Sequence, residues 1–239
     1  MDSLTEIDEA RRRFLVYLLS TGAFSLVPGC SSMPKAHTAM PMPAMMPKNK
    51  SIYQYMGRVT VNKQAATLKT LIHPGDVVET GANSQLVFTV DKDAFLLHAN
   101  TRMTIPSKMN GGEFEMDFGR ALGVFASRRT SVRTPSAVIA IRGTGVFFEI
   151  EPSRSYVCTC YGETNISVAD NPAINEEIKT THHNAPRYIL DDKTAKQRIL
   201  PAPFKDHTDQ ELLLIETLVG RTTPFVVPGG LNHMRGPYI

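Results

Sequence analysis

Val132 to Ile150 reads VRTPSAVIAIRGTGVFFEI, and the order of residue types in it decides the fold. Val132 leads into Arg133-Thr134-Pro135, and Ala137 to Ile141 is an apolar run. Arg142-Gly143-Thr144-Gly145 interrupts that run, and Val146 to Ile150 resumes it with β-branched and aromatic residues. Such side chains fit a pleated surface, and glycine accepts the backbone angles of a tight turn or bulge. The stretch therefore predicts strand, glycine-hinged turn or bulge, strand.

The same pattern extends upstream. Gly57 to Asn62 alternates as a strand should, Thr70 to Ile72 reads as another short strand, and His73-Pro74-Gly75-Asp76 is a turn. Val77 to Thr80, Ser84 to Val90 and Ala94 to His98 follow, with a turn at Asp91-Lys92-Asp93. Strands recurring roughly every 8–12 residues indicate a sandwich, barrel or solenoid. No convincing helical period falls between Ile52 and Val168, so the expected class is all-β. The 239 residues are 42% hydrophobic and 21% charged, with no Trp, which suits a core of Val, Ile, Leu and Phe. A net charge of +3 with no long Lys/Arg run makes nucleic acid an unexpected partner.

These pieces together resemble the FecR domain, a periplasmic β-rich module of bacterial signal-transduction proteins. The resemblance rests on Gly57 to Val61, Pro74 to Ser84, Phe118-Gly119-Arg120 with Leu122-Gly123-Val124, Thr134-Pro135, and Ile141-Arg142-Gly143-Thr144. It covers roughly residues 57 to 168, and Lys63 departs from it where the family often has glycine. It implies a β-rich sandwich or solenoid-type domain that senses or holds something in the periplasm. The family's founding type relays a signal to a sigma factor through a cytoplasmic domain and a membrane span. With ten residues before its first arginine cluster and no span, this chain is not expected to regulate a sigma factor directly. Arg142 is expected to serve the turn, beside glycines that permit positive φ.

The N-terminus reads as an address. Arg11-Arg12-Arg13 precede the short apolar run Phe14 to Val27, as in a secretory signal, and the segment resembles a twin-arginine export motif. Val27-Pro28-Gly29-Cys30 resembles a lipobox despite Pro28, so residues 1–29 are expected to be the signal and Cys30 the acylated first residue. Ser31 after the cysteine favours the outer membrane over the inner. Residues 31–50, with interleaved prolines and methionines, form a tether. Met33, Met40, Met42, Met45, Met46 and His37 are soft ligands suited to Cu(I), although a plain spacer explains them as well.

The chemical signal lies in Tyr156-Val157-Cys158-Thr159-Cys160-Tyr161-Gly162. Strand residues two apart share a face, so Cys158 and Cys160 present adjacent sulfurs. A disulfide is geometrically poor at that spacing. Thiolates select Zn or Cu(I), and His182-His183 can complete a four-ligand set. Buried apolar cysteines with exposed histidines, or a redox-active pair, are the alternatives.

Residues 51–170 are expected to form the β-domain and 171–239 an extension. In the latter, Ala173 to Ile178 reads as one or two helical turns after Pro172. Thr208-Asp209-Gln210-Glu211 is a capping box for a short C-terminal α-helix with Leu212, Ile215, Leu218 and Val219 on one face and Gly220 beyond its end. His207, just before the cap, is a weaker additional ligand candidate. No catalytic motif is present, so an enzyme is not expected. The sequence points to a periplasmic, lipid-anchored binding, sensor or scaffold module with a periplasmic or outer-membrane protein partner. A metallochaperone or redox-metal protein is the alternative.

Overall fold

The computed structural model describes residues 44–228. The expected signal, Cys30, the tether up to residue 43 and the tail beyond residue 228 lie outside them. The strands, in chain order, are β1 (Ile52–Met56), β2 (Val59–Val61), β3 (Gln64–Ala65), β4 (Val77–Thr80), β5 (Gln85–Val90), β6 (Asp93–Leu97) and β7 (Thr101–Thr104). β8 (Glu113–Val124), β9 (Thr130–Arg133), β10 (Ala137–Glu151), β11 (Arg154–Val168), β12 (Asn171–Thr180), β13 (Arg187–Leu190) and β14 (Ile199–Pro201) follow. One helix, α1 (Asp209–Leu218), closes the described chain. The protein is all-β with a short C-terminal helix. Among the described residues, no helix is long and apolar enough to cross a membrane.

The opening stretch is the spine of the sheet. Val132 and Arg133 end β9, and from Ala137 the stretch forms β10 without a break, so the glycines make a bulge rather than a turn: the register with β11 shifts between Arg142 and Gly145 and again between Gly145 and Val146. Gly143 has φ +60° and Gly162, opposite, φ +88°, conformations that side chains with a Cβ rarely adopt. The bulge is also where partners change. Val138 to Ile141 pair with β9, whereas Gly145 to Ile150 pair with β8. β11 switches in the same region: Arg154 to Val157 pair with β13, and Gly162 to Val168 with β12.

Two apolar clusters form the interior. The larger joins Ile52, Val78, Phe88, Phe95, Phe114, Ile139, Phe148 and Ile166. The smaller joins Leu96, Leu122, Phe147, Tyr156, Cys158 and Cys160 to Leu212, Ile215 and Leu218 of α1 and to Met46. Burying an aliphatic side chain contributes about 1.5–3 kcal/mol, so α1 is held mainly by this contact. The capping box forms as its residues predict: the Glu211 amide donates to the Thr208 hydroxyl and the Thr208 amide to the Glu211 carboxylate. Gly220, at φ +71°, ends the helix.

Two local expectations are overturned. Thr70 to Ile72 is not a strand: the Ile72 amide donates to the Ser51 hydroxyl at 3.0 Å, and Thr67 and Thr70 close a turn on each other. Ala173 to Ile178 is not helical but lies within β12, because pairing from Gly162–Thr180 to Val168–Asn171 satisfies its backbone better than a short isolated helix could. Pro172 is tolerated there because edge strands need not donate every amide.

Candidate metal centre

Cys158 and Cys160 lie in the part of β11 between its β13-paired and β12-paired halves. Toward β10, Val146 pairs with Thr159 and Gly145 with Tyr161, so Cys160 is the extra residue of a β-bulge. Bulges re-aim side chains. Both cysteines are fully buried free thiols.

The gap in pairing is crossed by the β12–β13 connection, which delivers His183. The His183 amide donates to the Cys160 carbonyl at 2.9 Å. Adjacent histidines diverge unless the chain bends, and here it does: His183 has φ +51°. Thr180 and Asn184 hold the bend, their side chains accepting the amide of His182 at 3.3 and 3.1 Å. The fourth group is His207, from the segment leading into α1. It is buried and stacks on Phe147 with centroids 4.5 Å apart and planes at 12°.

The donor atoms converge. Cys158 Sγ lies 3.6 Å from His183 Nδ1, Cys160 Sγ 3.4 Å from His207 Nε2, and the two ring nitrogens 3.0 Å apart. All four atoms lie within 4.8 Å of one another. A zinc tetrahedron with Zn–S about 2.3 Å and Zn–N about 2.0 Å has edges of roughly 3.3 Å (N–N), 3.5 Å (N–S) and 3.8 Å (S–S). The residues therefore fit a closed Cys₂His₂ site. The opposite ring nitrogens have their own acceptors: His207 Nδ1 is 2.8 Å from the Lys205 carbonyl and His183 Nε2 is 2.9 Å from Asp209 Oδ1. Those acceptors leave the inward nitrogens as the lone-pair atoms.

Without a metal, protons must reconcile this cluster. A hydrogen bond from the Cys160 thiol holds Cys158 well below the usual thiol range against its burial, helped by His183 and His207. Burial and the Cys158 thiolate push Cys160 well above it. Burial alone would lower His183, but hydrogen bonds to Asp209 and Cys158 outweigh it and raise the imidazole to about 9. In the metal-free state Cys158 is thus the more readily ionised of the two thiols, beside a His183 imidazole whose charged form is favoured.

Of the residues expected from sequence, Cys158, Cys160 and His183 come together, and the weaker candidate His207 joins them. His182 does not. It is half-exposed, its Nε2 lies 3.0 Å from both Asp209 oxygens, and its ring packs 4.3 Å from Phe225. Asp209 was not a candidate. Its only sequence signal is its place as the first helical residue of the capping box. Arg142 is exposed beside the bulge.

No family model matches the chain. No curated protein matches it either. Two crystal structures, at 2.50 and 1.65 Å resolution, of a protein described as a "putative anti-sigma factor" from Parabacteroides distasonis are similar in structure. Each gives a TM-score of 0.45 at 14% identity over 59% of this chain. The match spans 64% of those chains, under two thirds of their length.

Proposed function

We propose that this chain is an exported, lipid-anchored β-module of FecR-like type that keeps one soft metal ion, zinc or Cu(I), in a site made by Cys158, Cys160, His183 and His207. It acts in the periplasm as a binding or sensor module, without catalysis, and presents its sheet to a periplasmic or outer-membrane protein partner. The observation that carries the reading is the convergence of two sulfurs and two imidazole nitrogens within 4.8 Å, four donors of the type and number a structural zinc site uses. The burial of both cysteines favours a resident ion over cargo passed to another protein, which argues against the metallochaperone alternative. The ion would bind the C-terminal segment to the sheet, because its ligands come from β11, the β12–β13 connection and the approach to α1.

Metal analysis of protein purified from the periplasm tests this. Wild type is expected to carry about one equivalent of Zn or Cu. Cys158→Ser/Cys160→Ser is expected to carry almost none. Equal metal content in the two proteins overturns the site. The anchor is tested separately by palmitate labelling of wild type and Cys30→Ala, and an unlabelled wild type overturns it.

A further inference from the structure

We propose that Asp209 is the positioning residue of the metal site, setting the tautomer and orientation of His183, and that His182 acts by holding Asp209 and not as a ligand. This rests on the metal reading above and assigns the groups around it.

A neutral imidazole carries one N–H, and the ring that ligates through Nδ1 must carry it on Nε2. Asp209 Oδ1 accepts from His183 Nε2 at 2.9 Å, which places the proton there and leaves the Nδ1 lone pair facing Cys158 Sγ and His207 Nε2. His207 is set the opposite way, its Nδ1–H given to the Lys205 carbonyl, so its Nε2 points inward. One ligand histidine is thus oriented by backbone and the other by a carboxylate. A carboxylate behind a ligating histidine also makes the ring a stronger donor.

Asp209 is itself held firmly. It is the first residue of α1, where the helix dipole favours an anion, and the reciprocal Thr208–Glu211 bonds fix the backbone around it. Its carboxylate also meets His182 Nε2 at 3.0 Å through both oxygens. The side chains grade from solvent to site: His182 is 49% exposed, Asp209 21% and His183 8%. The adjacent histidines therefore have different tasks, His183 facing the sulfurs and His182 bracing the carboxylate from the solvent side.

The test uses the full chain with Zn(II) and Co(II) as probes, comparing wild type, Asp209→Ala, Asp209→Asn and Thr208→Ala. Thr208→Ala weakens the start of the helix but keeps the carboxylate. Asp209→Ala is expected to bind one metal at saturation, with wild-type thiolate-to-Co(II) charge-transfer bands, but roughly 10–100-fold more weakly. Asp209→Asn, which keeps the shape and an acceptor oxygen, is expected to fall between and serves if the alanine variant does not fold. Thr208→Ala is expected to be less stable with nearly unchanged affinity. In zinc-loaded wild type and Thr208→Ala, ¹H–¹⁵N spectra should show a slowly exchanging His183 Nε2–H that Asp209→Ala lacks. Wild-type affinity in both Asp209 variants, or equal weakening by Thr208→Ala and Asp209→Ala, overturns this assignment and leaves the metal reading standing. A wild type that binds neither probe overturns both.

Discussion

Cys158 and Cys160 meet two histidines that come from sequence positions 25 and 47 residues away. The two-residue repeat of a strand made the cysteine pair legible, because it depends only on local geometry. His182 and His207 were not separable in that way. Adjacency marked His182-His183 as a pair, but the bend at His183 sends only one ring inward, and nothing local says that the approach to α1 docks beside Cys160. The distinction is testable. His207→Ala is expected to lower metal affinity by more than a hundredfold, and His182→Ala by no more than the 10–100-fold range typical of a group outside the ligand set. The protonation states give a second outcome at this scale. Both Cys160 and His183 hold their protons in the metal-free protein at pH 7, since each is raised above neutrality. Each must lose its proton to ligate, so affinity rises with pH through about 9, where His183 loses its proton, and keeps rising beyond it because Cys160 is held well above the usual thiol range. Binding at pH 7 is expected to release about two protons, measured by calorimetry in buffers of different ionisation enthalpy. Release of none contradicts the assigned states.

At the scale of elements, β10 and β11 each change partner where their ladder is bulged, and the metal site sits beside the irregularity. The glycines of Arg142 to Gly145 were legible as a break in an apolar run. That the break is a bulge inside one continuous strand was not, because turn and bulge ask for the same residues. Gly162 tests the point. A Cβ there would lie 2.2 Å from Thr144 Oγ1 and 3.2 Å from the Gly143 carbonyl, on a backbone at φ +88°. Gly162→Ala is expected to destabilise the fold by more than about 1 kcal/mol in urea denaturation and to weaken metal binding. A neutral effect on both contradicts a rigid bulge. α1 was read correctly because capping chemistry is local. β12 was misread because a short polar segment carries little intrinsic preference, and pairing with β11 decides it.

For the whole molecule, the two interior clusters imply two levels of stability. The larger is built by the strands and the loops that join them, without α1. The smaller depends on α1 and on Met46, whose amide donates to the Leu218 carbonyl at 2.9 Å and so ties the end of the tether to the helix. A metal bound at a hundred times its Kd adds about 2.7 kcal/mol, directed at the junction of these units. Chelation is therefore expected to speed amide hydrogen exchange in residues 180–186 and 204–218 while leaving β5, β6 and β8 protected. Uniform change across the sheet contradicts a local latch. The central claim is the ligand set itself, and X-ray absorption of the zinc-loaded chain tests it most directly. The expected first shell is two sulfurs at about 2.3 Å and two nitrogens at about 2.0–2.1 Å. A shell without sulfur, or with a single sulfur, contradicts the site.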